Sequence, residues 1–131
     1  MDINSILKTS KIIAIVGLSD KPDRPSYDVA SYLLSHGYTI IPVNPMIKEW
    51  KGIKAYSSLL EIPKEIKVDV VDVFRKSEDV LPIAKEAVSI GAKTLWLQLG
   101  IINEDASLLA SQNHLNFVCD RCIKIEHSKI I

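Results

Sequence analysis

Hydrophobic positions along this chain gather in five short runs: KIIAIVG at 11–17, YTIIPVN at 38–44, VDVVDVF at 68–74, KTLWLQLG at 93–100 and LNFVCD at 115–120. Each holds β-branched or aromatic residues and gives way to Gly, Asn or a charged residue, which is how a strand reads. The first, second and fourth are almost continuously apolar. Strands buried on both faces of a parallel sheet have that character, because neither face meets water.

Between the runs the hydrophobic period lengthens. Val29 with Leu33, and Ala30 with Leu34, stand at i,i+4 spacing and predict a helix over 27–36, capped by Ser26 and closed at Gly37. A second helix is predicted from a Ser77 cap to near Gly91, with Val80, Ala84, Ala87 and Val88 on its apolar side. Pro82 falls early in it, where a missing N–H costs least. A third opens at Asn103 as cap, places Glu104 and Asp105 where the helix dipole favours anions, and ends near Asn113. Ile3–Thr9 reads as a short leading helix. The stretch 45–67 gives weaker signals: an extended piece at 53–56 and one helical turn at 57–60.

Strands alternating with helices imply βαβ units and right-handed crossovers. The expected fold is α/β, a three-layer doubly wound, Rossmann-like domain with a parallel sheet of about five strands in the order 3-2-1-4-5. Such sheets bind ligands beyond the carboxyl ends of their strands, near the switch in strand order. That rule selects residues 17–25, 44–45, 74–77, 98–101 and 120–122.

Composition narrows the classes. A length of 131 residues suits one domain, 1–131, with a core that needs no staples. Sixteen basic residues balance sixteen acidic ones, so the basic excess needed to bind nucleic acid or a membrane surface is missing. No apolar run reaches the ~18–20 residues of a membrane span. The opening MDINSILKTSK lacks the apolar core of a signal peptide, so a cytoplasmic location is expected. Two cysteines do not make a disulfide framework, and this fits a reducing compartment.

The strand ends carry the candidate chemistry. Gly17 and Ser19 offer close backbone approach and a hydroxyl donor to a phosphate, and the helix start near Ser26 offers free N–H groups. Lys21 and Arg24 add full charges; a plain βα turn with a solvated tip is the simpler alternative. At the next strand end, Asn44 stands where NAD-binding sheets carry an acid for the ribose, and Pro45 restricts it to extended geometry. Phe74 offers an apolar face to a base, and Arg75 and Lys76 offer phosphate partners. Gln98 is polar within an apolar run and needs hydrogen bonds; Gly100 gives a tight exit. Trp96 reads as core.

Other motifs carry less. Cys119 and Cys122 have C-x-x-C spacing, but zinc needs two more ligands, and IKIEHSKII shows no clear helix start to activate a thiol. Two reduced thiols are expected. His36, His114 and His127 are scattered, and no Walker A or G-x-S-x-G sequence occurs. Asp69 and Asp72 form no acid/base pair, and Asp72 is left to pair with a neighbouring cation.

Taken together, IAIVGLSDKPDRPSYDVASYLLSHGYTIIPVNP, VDVVDVFRKSEDV, GAKTLWLQLGIINEDA and DRCIKIEH resemble, in this order and over most of the chain, the small stand-alone CoA-binding domain proteins. Similar Rossmann-type domains occur in the succinyl-CoA synthetase α subunit and in NDP-forming acyl-CoA synthetases. The resemblance implies coenzyme A or an acyl-CoA as ligand. Its pyrophosphate would lie over Gly17, Leu18 and Ser19 and the helix start at Ser26, with Lys21 and Arg24 as charge partners. Asn44 and Pro45 would line the nucleotide. Phe74, Arg75, Lys76 and Ser77 would hold the adenosine and phosphate end, and Gln98 and Gly100 would close the other side. CoA carries a 3′-phosphate besides its pyrophosphate, which suits several cations around a neutral Asn.

The synthetases use further domains, including a phosphorylated histidine, for which this chain has no room; acyl-CoA synthesis does not transfer. No catalytic residue and no metal ligand is assigned, so the expectation is a binding module. Two other readings stay open: an NAD(P)-binding sensor or oxidoreductase on the same fold, and a CoA-linked thiol redox protein using Cys119 or Cys122. A homodimer or a protein partner is also left open.

Overall fold

The computed structural model describes residues 1–131. A leading helix α1 (Ile3–Thr9), capped by the Asp2 carboxylate on Ser5 N–H, precedes strand β1 (Ile12–Val16). Helix α2 (Pro25–Ser35) and β2 (Thr39–Val43) follow, and then a hairpin of β3 (Glu49–Trp50) and β4 (Ile53–Lys54). A 3-10 turn at Leu59–Glu61 leads to β5 (Val70–Val73), and another at Ser77–Asp79 leads to α3 (Val80–Ser89). The chain closes with β6 (Thr94–Leu97), α4 (Glu104–Gln112), β7 (Asn116–Val118) and α5 (Ile123–Ser128).

The main sheet has five parallel strands in the order β2-β1-β5-β6-β7. Tyr56 bridges in parallel to Val43 beyond β2 and so takes a third strand's place. Counted with it, the order is 3-2-1-4-5, and β7 adds one strand past β6. The run at 68–74 therefore lies against β1, in fourth place. That arrangement puts the crossing point between β1 and β5, where the ends of both strands open onto one surface.

Alternating strand residues feed two cores. Ala14, Val16, Val71, Val73, Leu95 and Leu97 face α3 and α4, meeting Val80, Ala84, Ala87 and Ala106. Ile13, Ile15, Val70 and Trp96 face α1, α2 and α5, meeting Ile6, Leu7, Val29, Leu33 and Ile123. Burying one such Leu or Ile side chain contributes roughly 1.5–3 kcal/mol, so both layers are held to the sheet by area alone.

Helix ends follow local chemistry, with two corrections. Asn103 caps α4 as expected, its side chain accepting from Ala106 N–H at 2.8 Å. Ser26, however, lies inside α2; Arg24 is the capping position, without a side-chain bond, and Pro25 fills the first helical place, where its missing N–H is no loss. Ser77 likewise does not cap α3: it opens the 3-10 turn, and α3 starts three residues later at Val80. At the other end of α2, Gly37 (φ +94°) donates to Leu34 O and Tyr38 donates to Leu33 O, a Schellman ending. Helix α4 ends the same way with His114 at φ +61° in the glycine's place.

The hairpin was not visible in the weak pattern of 45–67. Lys51 and Gly52 both adopt positive φ, which is the two-residue turn whose twist matches antiparallel strands. Trp50 is thereby turned into the α2-side core, where Tyr27 meets its ring edge-on at 5.6 Å.

Asp72 departs from expectation. It does not pair with a cation: it is completely buried in the middle of β5, opposite Ile15 and Trp96, and neither carboxylate oxygen has a partner. Burial alone pushes its carboxyl well above the usual carboxylate range. Asp69, at the start of the same run, does the pairing instead. It accepts from the N–H groups of Lys11 and Ile12 and meets Lys93 at 3.5 Å.

Candidate functional site

Two clefts open beyond the carboxyl ends of the strands, and Pro25 and Phe74 line both. The first, about 520 Å³, is bounded by Gly17, Ser19, Asp20, Lys21, Arg24, Ser26, Asn44, Met46 and Ile47. The second, about 710 Å³, is bounded by Arg75, Lys76, Asp79, Gln98, Leu99, Ile101 and Cys122. Both volumes fall in the range of small-molecule sites.

The first cleft is built by a self-tied loop. Ser19 N–H donates to Ser26 Oγ at 2.9 Å, Lys21 N–H donates to Ser19 Oγ at 3.1 Å, and Arg24 N–H donates to Lys21 O at 3.0 Å. Asn44 pins the loop from the neighbouring strand: its Nδ2 donates to Leu18 O at 3.0 Å, while its Oδ1 accepts from Met46 N–H at 2.9 Å. The amide of Asn44 is thus committed on both sides to the backbone. Leu18 is completely buried in the α2-side core and lines neither cleft; it anchors the loop from beneath.

Gly17 has a reason independent of any ligand. It sits at φ +87°, and a Cβ there would stand 2.3 Å from Phe74 O and 3.2 Å from Arg75 Nε. Only glycine lets the end of β5 close over the end of β1. The same contact places Arg75 Nε beside Gly17 of the first cleft, although Arg75 lines the second.

None of Lys21, Arg24, Arg75 or Lys76 takes part in the four ion pairs of the chain, which join Lys93–Asp69, Arg121–Glu126, Lys124–Asp28 and Lys129–Glu126. Two carboxylates, Asp20 and Asp79, line the clefts without bonding these cations. Four cations left free at adjoining clefts make a place for an anion with more than one charged group.

In the second cleft Gln98 holds the floor. Its Oε1 accepts from Ile123 N–H at 3.0 Å, which fixes the start of α5 against the end of β6. Its Nε2 has no acceptor in the protein, and the small part of Gln98 that is exposed, 4%, lies in this cleft. Gly100 turns away; its N–H donates to Asp120 Oδ1 at 2.7 Å. The Ser77 hydroxyl accepts from Ile102 N–H at 3.1 Å and the Ser77 carbonyl accepts from Asn103 Nδ2 at 3.0 Å, so Ser77 buttresses the loop after β6.

Of the fourteen residues singled out from the sequence, Gly17, Ser19, Lys21, Arg24, Ser26, Asn44, Phe74, Arg75, Lys76 and Gln98 line the two clefts, and Leu18, Pro45, Ser77 and Gly100 do not. The sequence reading missed Met46 and Ile47 in the first cleft and Asp79 in the second; Asp20, Pro25, Leu99, Ile101 and Cys122 fell within the strand-end segments it selected but were given no part in the ligand site. Met46 and Ile47 carry no chemical signal in the sequence. The two cysteines also separate. Cys119 packs on the α3–α4 side of the sheet and lines a different hollow with Met1, Asp2 and Phe117, whereas Cys122 packs on the α1–α2–α5 side. A helix does start directly after Cys122, contrary to expectation.

The sheet is parallel and doubly wound, with a glycine directly after its first strand and free cations near its switch point, which is a Rossmann-like domain. A family described as CoA binding domain matches residues 11–128, and the chain belongs to that family. It is 45% identical over 127 residues to uncharacterized protein YneT of Bacillus subtilis (strain 168), covering 97% of this chain and 93% of that protein. A hypothetical protein from Pyrococcus horikoshii OT3 has a similar structure, with TM-score 0.93 and 42% identity over 98% of this chain and 89% of that one. A part of the chain is also 37% identical to the α subunit of the ADP-forming acetate–CoA ligase II of Pyrococcus furiosus, over 49% of this chain but 14% of the ligase subunit.

Proposed function

We propose that the protein binds coenzyme A, or an acyl-CoA, across the two clefts, without catalysis of its own. The observation that carries this reading is the set of four unpaired cations over a loop already tied in shape, within a chain of the CoA-binding family. The pyrophosphate lies over Gly17–Ser26 with Lys21, Arg24 and Arg75 as its charge partners. The chain beyond the phosphates crosses Pro25 and Phe74 into the second cleft, where Gln98 Nε2 offers a donor. Asn44 acts by holding the loop, not by reading the ligand, and no acid stands at the end of β2 for an NAD ribose.

The similarity to a ligase subunit is confined to a small share of that subunit, so acetate–CoA ligase activity forms no part of the reading. A cytoplasmic location does form part of it, because CoA thioesters are intracellular metabolites; no helix of the chain is long and apolar enough to cross a membrane. Calorimetric titration with CoA tests the reading. Arg75→Ala is expected to weaken binding by about tenfold or more while leaving folding stability within about 0.5 kcal/mol, because Arg75 makes no ion pair. No heat of binding up to about millimolar CoA, or NAD(P) binding in its place, would remove it.

A further inference from the structure

The second cleft contains a thiol that noncovalent CoA binding does not require. Cys122 is half-buried on its wall, and no hydrogen bond holds its side chain. Gln98 shares that wall. It is almost wholly buried, its Oε1 is held by the N–H of Ile123, the residue next to Cys122, and its Nε2 is without an acceptor and faces the cleft. The amide donor and the thiol are therefore held in a fixed relation, both aimed at the same space. Cys119, the other half of the C-x-x-C, lies on the opposite side of the sheet and does not compete for this thiol.

We propose that Cys122 is an attachment point for CoA through a mixed disulfide. This rests on the CoA reading above. In CoA the thiol stands at the opposite end from the phosphates, on an arm with amide carbonyls. With the phosphates held at Lys21, Arg24 and Arg75, the arm crosses Pro25 and Phe74, its amide accepts from Gln98 Nε2, and its sulfur arrives beside Cys122. Leu99 and Ile101 give this end of the cleft an apolar wall.

The co-reactant is a CoA disulfide. The Cys122 thiolate attacks one sulfur of that disulfide; the CoA–CoA sulfur bond breaks and a Cys122–CoA sulfur bond forms. The second CoA leaves as a thiolate and takes up the proton that Cys122 gave. Cys122 is oxidised and the departing CoA is reduced, so electrons balance. Occupancy of the cleft then follows the thiol–disulfide balance as well as the CoA concentration.

The test uses the full chain, reduced and freed of reductant, incubated with CoA disulfide and followed by intact mass and peptide mapping. The expected result is one CoA adduct on Cys122, removed by dithiothreitol, lost in Cys122→Ser and kept in Cys119→Ser. It should form at least ~10-fold faster than the adduct from glutathione disulfide, because binding raises the disulfide's effective concentration at Cys122. Calorimetry of the reduced wild-type chain with CoA runs in parallel. CoA binding without an adduct overturns this inference and leaves the binding function standing. An adduct on Cys119, or equal rates with the two disulfides, overturns it as well. Neither binding nor adduct removes both readings.

Discussion

Asp72 is buried without a hydrogen-bond partner, and the cost of this depends on pH in a way that can be measured. The carboxyl lies mid-strand between Ile15 and Trp96 with no exposed atom and no partner for either oxygen. In the unfolded chain it ionises near 3.8; in the folded one, burial raises its pKa well above that value. Between those two pKa values the folded state holds a proton that the unfolded state has released. Stability is therefore greatest below 3.8 and falls as pH rises toward the folded pKa, by up to about 1.4 kcal/mol per pH unit. With a urea slope of about 1–3 kcal/mol per molar, each such unit lowers the unfolding midpoint by about 0.5–1.4 M. Against a total stability of about 5–15 kcal/mol this is a large effect for one side chain.

Asp72→Asn isolates the titration, because it keeps the shape and an unsatisfied polar group but cannot ionise. Urea unfolding of both proteins between about pH 4 and pH 8 should show the variant gaining on the wild type as pH rises, and then a constant gap above the folded pKa. Other carboxylates, such as Asp2, whose hydrogen bonds with Ser5 lower its pKa, act equally in both proteins and cancel in the difference. Asp72→Leu should add a further gain of about 1–3 kcal/mol at neutral pH by removing the unsatisfied oxygens. A gap that stays flat across the range would mean that Asp72 ionises as it does in water, and the reasoning from burial and missing partners would fall.

Two further outcomes follow from single contacts. Gly17→Ala should lose at least about 2 kcal/mol in urea unfolding, since the new Cβ meets Phe74 O at 2.3 Å in a backbone conformation that costs an L residue about 1–2 kcal/mol; unchanged stability would mean that β5 does not close over the loop as described. His127 should titrate below 6.5 in the folded protein by NMR, because burial and the neighbouring His36 disfavour its charged form. Its hydroxyl partner Tyr32, the Tyr38 ring, and the Lys8 and Lys11 that line the same hollow offer it no carboxylate. Stability of α5 should therefore be lost as pH falls from 6.5 through the folded pKa, seen as faster amide exchange there, and His127→Phe should abolish that loss.

The strands were legible because burial on both faces leaves little room for polar residues, and three of the five runs are almost continuously apolar. The one polar residue that the core encloses completely, Asp72, is also where the reading went wrong. A sequence shows a carboxylate among valines but not whether a cation can reach it, and here both neighbouring strands present apolar side chains. The hairpin at Trp50 stayed hidden because its strands are two residues long, too short to show alternation, and only the Lys51–Gly52 turn marks it. At the strand ends, most of the residues singled out line the clefts, but several are held there for structural reasons that the sequence did not show. Gly17 looked like a glycine kept for a phosphate, and the nearest atom it makes room for is Phe74 O. Asn44 and Ser26 looked like ligand contacts, and their first bonds go to the loop itself. The two accounts meet in the loop's rigidity. A loop whose polar groups are already spent on its own shape would lose little entropy when an anion arrives, so on the proposed CoA reading the affinity would fall to the groups that remain unspent: Lys21, Arg24, Arg75, Lys76 and the Nε2 of Gln98.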